Sequence, residues 1–413
     1  MSNWQQQVKN NPYFCVLPFS HIHFTTDGKA NACCMANFNV TLSEDIKGST
    51  VQDIWTGAKY QELRTAMLEG KRHSQCEICY KQDEEGGGSD RQTMNRYFNA
   101  PSADWDVDIV NGNTDGHPLS VDMRPGRFCN LGCRMCFVAV SSYIADEHKK
   151  HPELTSVSGE KWFDVEEWID DPVMYASIQE LIPNLRSIKL AGGESLFMPG
   201  VIKLLSWCVE SGNTHLHLDI TTNGTRTQGK IIKMLSKFKA VDIQYSIDGI
   251  GAVNEYIRYP SEWSVIDESY KRYKQMDNVK SVNILSTVQI YNAFELVNII
   301  DYWLDNGAQD NLIFNFVNWP RDLAVDILPL EDRQEIARQI EDRASKMTEA
   351  QRQQFRVDAL VYRLNQTVES FNGADLDTLR KNFSARTKKY DELRKQDINT
   401  VSKRLAQYVN DWA

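Results

Sequence analysis

Residues 124–137 read Arg124-Pro125-Gly126-Arg127-Phe128-Cys129-Asn130-Leu131-Gly132-Cys133-Arg134-Met135-Cys136-Phe137. Three cysteines, Cys129, Cys133 and Cys136, thus share one short loop with the spacing Cys-x3-Cys-x2-Cys. Soft thiolates at this spacing suit an iron–sulfur cluster or zinc. Because a [4Fe–4S] cluster has four irons, three thiolates leave one iron open, and an open position is typical of a reactive metal site. The spacing also allows a zinc loop or unligated buried cysteines.

The cysteine loop follows the first of six predicted strands, which alternate with helical segments between about residues 115 and 320. The predicted strands are Leu119–Met123, Ser187–Leu190, Leu216–Thr221, Val241–Tyr245, Val282–Gln289 and Leu312–Val317, and the helices between them include Val201–Glu210, Lys230–Lys237 and Ala293–Leu304. Such alternation predicts βαβ units and a parallel sheet. Functional loops of such sheets emerge where the strands end. The pattern fits an open doubly wound sheet and an incomplete barrel equally well.

A second motif, Gly192-Gly193-Glu194, ends the second predicted strand. Glycines let a backbone approach a ligand closely, and a carboxylate suits an ammonium group. Together with the cysteine loop and its Asn-Leu pair, this motif resembles the radical S-adenosylmethionine (SAM) superfamily. The resemblance implies a [4Fe–4S] cluster on the three cysteines and SAM held through its amino group at Gly192, Gly193 and Glu194. It also implies that the α/β region is a partial (β/α)6 barrel.

Three further strand ends resemble SAM-contacting segments of that superfamily. Asn223 lies in Thr221-Thr222-Asn223-Gly224, and Ser246 and Asp248 lie in Tyr245-Ser246-Ile247-Asp248-Gly249. Arg258 follows and could pair with the SAM carboxylate. The alternatives are ordinary turn chemistry for the Asn-Gly and Asp-Gly pairs, and a surface ion pair for Arg258.

The N-terminal region carries a second cysteine set, Cys15, Cys33, Cys76 and Cys79. An Asp-Gly turn at Gly28 predicts a hairpin that brings Cys15 and Cys33 together, and a predicted helix over Trp55–Met67 precedes the Cys76-x2-Cys79 knuckle. The pattern resembles the twitch domain, a short form of the SPASM auxiliary-cluster domain, although that domain normally follows the barrel. The resemblance implies a second [4Fe–4S] cluster for electron transfer or scaffolding, and a four-cysteine zinc site is the alternative.

The remaining cysteines and the histidines give weaker signals. We expect Cys208 in the core and Cys34 as a packed or partly exposed thiol. The four paired histidines are expected to be packing or surface residues; they are His21, His23, His215 and His217. An odd total of nine cysteines fits no disulfide framework.

Bulk composition limits the class of protein. The cysteine patterns and the resemblance divide the 413 residues into a twitch-like domain at 1–100, a barrel at 115–325 and a helical C-terminal region at 330–413.

The charge pattern gives two further expectations. The basic stretch 377–404 is interpreted as a solvated helical face. A net charge of −10 argues against a general nucleic-acid binder. No apolar run suits a membrane span and no secretory signal is present, so a cytoplasmic location is expected.

The sequence therefore predicts a radical SAM enzyme. The resemblance implies that it cleaves SAM reductively and abstracts a hydrogen atom from an unidentified substrate, with a peptide or protein as the favoured class. A flavodoxin or ferredoxin would supply the electron. A non-catalytic iron–sulfur or zinc protein for electron transfer or scaffolding is the second hypothesis, and an RNA-modifying enzyme is the third.

Overall fold

The computed structural model describes residues 3–37, 39–86, 88–99, 116–161, 163, 167–226, 229–306, 309–366 and 375–413. The chain divides into two compact units. Unit 1 comprises residues 1–128, 165–220 and 237–240, and unit 2 comprises residues 129–164, 221–236 and 241–413. The predicted domains have other boundaries than these two units, and they stay a prediction. The first predicted boundary, at residues 100–115, lies outside the described residues.

The N-terminal part of unit 1 is a short hairpin among small helices. Its elements are α1 (Asn3–Asn10), β1 (His21–Phe24), β2 (Ala30–Asn31), α2 (Val51–Trp55), α3 (Ala58–Leu68), α4 (Glu77–Glu84) and α5 (Asp90–Asn99). The predicted hairpin is present: β1 and β2 pair antiparallel, and Gly28 adopts the left-handed conformation at the turn, with φ +75°.

The prediction of one continuous helix over Trp55–Met67 is wrong, because this segment is divided between two helices. The helix α2 ends at Trp55 and α3 begins at Ala58, with Gly57 between them in an extended conformation. A capping box between Thr50 and Asp53 fixes the start of α2. Gly57 N-caps α3, and this second start interrupts the periodicity on which the prediction relied.

The rest of unit 1 contains β3 (Ser120–Met123), α8 (Pro172–Leu181), β4 (Ser187–Leu190), α9 (Pro199–Glu210) and the start of β5 (His217–Thr222). Its strands lie in the order β2-β1-β3-β4-β5. The N-terminal strand β1 runs parallel to β3 and pairs with it from His21↔Ser120 to Phe24↔Met123. The indole Nε1 of Trp168 bridges the ends of these two strands, because it donates to the carbonyls of Thr25 (2.9 Å) and Arg124 (2.8 Å).

Unit 2 contains the remaining strands and most of the helices. Between β3 and β5 in the chain it supplies α6 (Ser142–Lys150) and α7 (Thr155–Ser158). It continues with α10 (Gly229–Leu235), β6 (Ala240–Ser246), α11 (Ala252–Ile257), α12 (Trp263–Lys274), β7 (Val279–Val288), α13 (Leu296–Asp305) and β8 (Leu312–Phe316). The strands β6, β7 and β8 are parallel neighbours in that order.

The strand order confirms the α/β fold class and favours the barrel over the doubly wound sheet. Within each unit, parallel strands of the barrel region lie side by side in sequence order, whereas a doubly wound sheet reverses its order at a switch point. All six predicted strands are present with boundaries shifted by at most three residues. Cys208 is fully buried on α9, as predicted.

The C-terminal region is helical, as predicted. Its helices are α14 (Leu330–Ser345), α15 (Glu349–Gln354), α16 (Val357–Asn365), α17 (Leu376–Arg394) and α18 (Lys403–Asp411). The interpretation of residues 377–404 as a solvated face is wrong in part. Arg386 and Arg394 on α17 are buried, and they are paired with Asp322 and Glu147. In the described part of the chain, no helix has the length and apolar character needed to cross a membrane.

The buried pair between Arg386 and Asp322 generates a stability prediction. Asp322 accepts from Arg386 Nε at 2.6 Å and from Nη2 at 3.3 Å, so Asp322→Ala would leave a buried guanidinium without its counter-charge. We expect a loss of about 3–5 kcal/mol in the free energy of unfolding, measured by urea denaturation. Lys388→Ala, at an exposed position of the same helix, is the control and should change stability by less than about 0.5 kcal/mol. An equal effect of both variants would contradict the prediction.

Candidate functional site

The cysteine loop of unit 2 is held by the N-terminus of α6. The backbone N–H of Cys129 donates to Ser142 Oγ (3.0 Å), and that hydroxyl is 3.2 Å from the carbonyl oxygen of Cys129. Ser141 Oγ, at the N-cap of the helix, donates to the Leu131 carbonyl (2.9 Å). A turn closes the loop, with Cys136 N donating to the Cys133 carbonyl (3.0 Å). One part of the loop conformation is thus fixed by its own backbone and by two serines.

The three thiols of this loop lie near one another. Cys133 and Cys136 are hydrogen-bonded through their side chains, and this bond lowers the pKa of Cys133 and raises that of Cys136. The charge of Cys129 also acts on the Cys136 thiol. The guanidinium of Arg258 faces both Cys133 and Cys136 and favours their thiolate forms. The group is therefore a converging set of sulfurs with a cation beside it.

Arg134, between the second and third cysteines, anchors the loop to the C-terminal region. Its guanidinium is almost fully buried and donates from Nη2 to Asp391 Oδ1 (2.5 Å) and Gln396 Oε1 (2.9 Å). Its Nε donates to the Tyr256 carbonyl (3.1 Å), and its Cζ lies 3.7 Å from the centroid of the Tyr256 ring. Asp391 also accepts from the Tyr256 hydroxyl (2.8 Å). One planar cation thus joins the cysteine loop, α11 and α17.

A second arginine, Arg394 of α17, also contacts the surroundings of this loop. Arg394 makes a two-point ion pair with Glu147 of α6 (3.0 and 2.6 Å) and lies 5.1 Å from the centroid of the Tyr259 ring. It also fills the space beside Gly132, where a Cβ would lie 3.0 Å from its Nη2. Sequence reasoning missed Arg134, Asp391 and Arg394; the only available signal was an arginine inside the cysteine motif.

Asn223 connects the third strand end to the cysteine loop. Its Nδ2 donates to Asn130 Oδ1 (3.0 Å), and its Oδ1 accepts from both the backbone and the hydroxyl of Thr225 (3.0 and 2.6 Å). The amide of Asn130 in turn donates to Thr225 Oγ1 (2.9 Å). At the neighbouring Gly224, a Cβ would lie 1.9 Å from Tyr245 Oη, so only glycine fits. The segment therefore has a positioning role beyond turn chemistry.

The structure places Asp248 and Arg258 against each other. Asp248 is fully buried, accepts from Thr287 N (2.7 Å) and pairs with Arg258 Nη2 at 2.7 Å. The alternative of a surface ion pair for Arg258 is wrong, because its side chain is only 8% exposed. Ser246 is half-buried at the end of β6, paired in register with Leu285.

The motif Gly192-Gly193-Glu194 lies in unit 1 against residues 126–128. Gly193 N donates to the Gly126 carbonyl (3.2 Å) and Glu194 N to the Phe128 carbonyl (2.7 Å). Gly192 has φ +102°, and a Cβ on Gly193 would lie 2.3 Å from the oxygen of Phe128. Both glycines are therefore required by backbone geometry. The buried Glu194 carboxylate accepts from Leu196 N (3.4 Å) at the start of a 3-10 turn.

The four N-terminal cysteines of unit 1 also act on one another. Burial raises the pKa of Cys15, and the charge of Cys76 is the next largest cause. Burial is also the largest cause of the raised pKa of Cys33 and of Cys76. The next largest cause is the charge of Cys15 for Cys33, and the charges of Cys33 and Cys79 for Cys76. Burial is also the main reason why the pKa of Cys79 is raised. Such mutual effects require that the four thiols lie close together.

Two buried amides hold the segments that carry these cysteines. Gln75, which precedes the third cysteine, accepts from Ala32 N (3.2 Å) next to the second. Asn95 of α5 accepts from Val16 N and donates to the Phe14 carbonyl (both 2.9 Å), on either side of the first. The convergence of the four cysteines thus follows from side-chain contacts between distant segments.

The donor chemistry of both sets fits iron–sulfur clusters. Each set is composed of thiols alone, and thiolates are the protein ligands of such clusters. Among the described residues, no three or more His, Cys, Asp or Glu side chains are grouped to hold a single metal ion. The fit of either set to a cluster rests on the sulfur ligands and, at the loop, on the cation of Arg258.

Family models match both cysteine-bearing parts of the chain. Residues 123–301 match the radical SAM superfamily. Residues 15–81 match SPASM, an iron–sulfur cluster-binding domain. The two matches cover the loop and the N-terminal cysteine set, respectively.

Individual relatives are more distant. The sporulation killing factor maturation protein SkfB of Bacillus subtilis (strain 168) is 24% identical over 202 residues, which are 48% of this chain and 43% of that protein. The chain therefore matches less than half the length of this curated relative. Native anSMEcpe with bound AdoMet has a TM-score of 0.41 at 18% identity, covering 55% of this chain and 61% of that one. SuiB of Streptococcus suis bound to precursor peptide SuiA has a TM-score of 0.38 at 14% identity, covering 75% and 70%.

The close approach at Gly193 generates a prediction. Gly193→Ala would drive its Cβ into the Phe128 carbonyl, so we expect a loss of about 1–3 kcal/mol in the free energy of unfolding. Urea denaturation of the metal-free protein measures it. Gly229→Ala is the matched control, because a Cβ at this position, at the start of α10, meets nothing within 4 Å. A neutral Gly193→Ala would contradict the close approach.

The Arg134 contacts generate a second prediction for this site. Asp391→Asn removes the counter-charge of a buried guanidinium, so the midpoint of thermal unfolding should fall by several degrees. Asp377→Asn, at an exposed position on the same helix, should leave the midpoint within about one degree. Equal midpoints for the two variants would show that Asp391 does not stabilise the loop.

Proposed function

We propose that this chain, whose residues 123–301 belong to the radical SAM superfamily and whose residues 15–81 are a SPASM iron–sulfur domain, is a radical SAM enzyme that acts on a peptide or protein. In this proposal Cys129, Cys133 and Cys136 hold a [4Fe–4S] cluster with one open iron. The observation that carries the proposal is the convergence of these three thiols on a loop whose conformation is fixed from both ends.

The chemistry belongs to the bound groups, and the chain positions them. A [4Fe–4S] cluster held by Cys129, Cys133 and Cys136 would supply the reductive cleavage of bound SAM and the abstraction of a hydrogen atom from the substrate that follows it. The chain must hold its thiolates in place, and the ion pair between Arg134 of the loop and Asp391 of α17 would do so. The buried cation of Arg258 offsets part of the thiolate charge.

The SAM-contacting residues are proposed from the motif matches. Glu194 would accept the amino group of SAM, with Gly192 and Gly193 shaping the backbone that approaches it. Asn223 and Ser246 would supply polar contacts. Asp248 and Arg258 are proposed for the same site, but they already pair with each other at 2.7 Å, so direct contact of either with SAM requires this pair to open.

The N-terminal cysteines would hold a second [4Fe–4S] cluster. Four thiolates from Cys15, Cys33, Cys76 and Cys79 leave no iron open, which suits electron transfer or scaffolding better than substrate ligation. Zinc is the alternative occupant. A flavodoxin or ferredoxin is the proposed electron donor of the enzyme.

The substrate class is supported by one relative. SkfB is named as a maturation protein of a sporulation killing factor. The segment that matches SkfB is 48% of this chain. A peptide or protein substrate is therefore an inference for this chain.

Anaerobic reconstitution tests the proposal. The protein is loaded with iron and sulfide, reduced with dithionite and given SAM, and iron and 5′-deoxyadenosine are quantified. We expect about eight irons per chain and formation of 5′-deoxyadenosine. Cys133→Ala should lose about four irons and the product, because the loop then has only two ligands.

Cys208→Ala is the matched control, since this cysteine is buried in α9 and should be dispensable for both readouts. About four irons with turnover would keep the enzyme and contradict the second cluster. A fully loaded protein that does not bind SAM in calorimetry would contradict the enzyme and favour the non-catalytic electron-transfer protein.

A further inference from the structure

Unit 1 carries a row of polar side chains across four parallel strands. The pairing register places His23 of β1 beside Asp122 of β3, Asp122 beside Lys189 of β4, and Lys189 beside Asp219 of β5. Paired residues of neighbouring strands project from the same face of a sheet. These four side chains, the polar row, therefore form one continuous band on one face.

The opposite face of the same strands is an ordinary core. It consists of apolar side chains that are at most 2% exposed, namely Ile22, Phe24, Val121, Met123, Ile188, Leu190, Leu218 and Ile220. In closed parallel barrels the interior face is also filled by bulky apolar residues. Here Lys189 and Asp219 are instead 37% and 32% exposed through their side chains. The polar face thus borders accessible space.

Asp122 is the unusual member of the polar row. It is 2% exposed, and its Oδ1 is buried without a hydrogen-bond partner. Leaving a buried charged acceptor unsatisfied costs free energy that a bound ligand can recover. Lys189 lies toward Asp219 instead, with an Nζ–Oδ2 distance of 3.8 Å. The row therefore contains a buried carboxylate oxygen, Asp122 Oδ1, that lacks a donor.

The charges of the polar row indicate which donor fits. Burial lowers the pKa of His23 to about 3, so its imidazole is neutral, and two carboxylates face one ammonium. Arg124 is the next cation; it follows β3 by one residue, on the same face as Asp122, and its charge acts on His23 and Lys189. The four residues of the row have an excess of one negative charge, and the guanidinium of Arg124 lies beside them.

We propose that the polar row is a substrate-specificity subsite in which Asp122 accepts hydrogen bonds from a cationic group, an ammonium or a guanidinium, of the substrate. The inference rests on the proposed radical SAM function and deepens it. The Lys189–Asp219 pair forms the wall of the subsite and adds no net charge to it. A basic side chain of a peptide substrate supplies such an ammonium or guanidinium group.

Calorimetry with a matched pair of probes tests the subsite on the reconstituted full chain with SAM present. The probes are N-acetyl-arginine amide and N-acetyl-citrulline amide, which have the same shape and differ in charge. The arginine probe should bind at least about tenfold more tightly, because a charge-assisted hydrogen bond is lost with citrulline. In Asp122→Asn this preference should fall below about twofold.

Two further variants keep the test decisive. Lys189→Met removes the competing cation and should increase the preference for arginine by about threefold or more, which a misfolded protein could not do. Glu210→Gln, at an exposed position on α9, should leave the preference unchanged. Equal binding of the two probes, or binding of neither, by protein that still binds SAM and forms 5′-deoxyadenosine would overturn the subsite alone. Loss of SAM binding and cleavage in the wild-type chain would instead overturn the proposed function.

Discussion

The cysteine loop depends on one buried cation, the guanidinium of Arg134. A loop with Cys-x3-Cys-x2-Cys spacing is too short to contain a core, so its conformation must be imposed by neighbours. Arg134 provides this constraint through an ion pair with Asp391 and through the face of the Tyr256 ring. Because the partner carboxylate lies about 250 residues further along the chain, the C-terminal helix α17 is part of the site. The helical C-terminal region thereby acquires a structural role at the cysteine loop.

Much of the fold and part of the site could be predicted from the sequence. Alternating β-branched runs and helical periods gave all six strands of the barrel region, because strand and helix periods are local properties. The resemblance to the radical SAM superfamily and to an N-terminal SPASM-like domain is confirmed by the two family matches. Gly192 and Gly193 were chosen for their ability to approach a ligand, and the structure gives a further reason, since they pack directly on residues 126–128. Their contact with SAM stays a prediction.

What escaped prediction depends on contacts between distant residues. The ion pairs of Arg134 and Arg394 with Asp391 and Glu147 have no periodic signal, and a basic stretch reads as solvated when its partners are unknown. The same limitation explains why a surface ion pair stood as the alternative for Arg258. The break between α2 and α3 escaped prediction because a single glycine inside a helical pattern does not by itself mark a helix end. Local sequence patterns thus predicted the positions of the strands and most helices. Which charged side chains are buried depends on tertiary packing, which these patterns do not contain.

The parallel pairing of β1 with β3 ties the N-terminal region to the integrity of the sheet of unit 1. In unit 1, β1 covers the backbone edge of β3, and an uncovered strand edge exposes unpaired N–H and C=O groups that promote aggregation. A chain without its N-terminal region would lose this cover together with four cysteines. The N-terminal region is therefore a structural part of the sheet of unit 1 and not only the carrier of those cysteines.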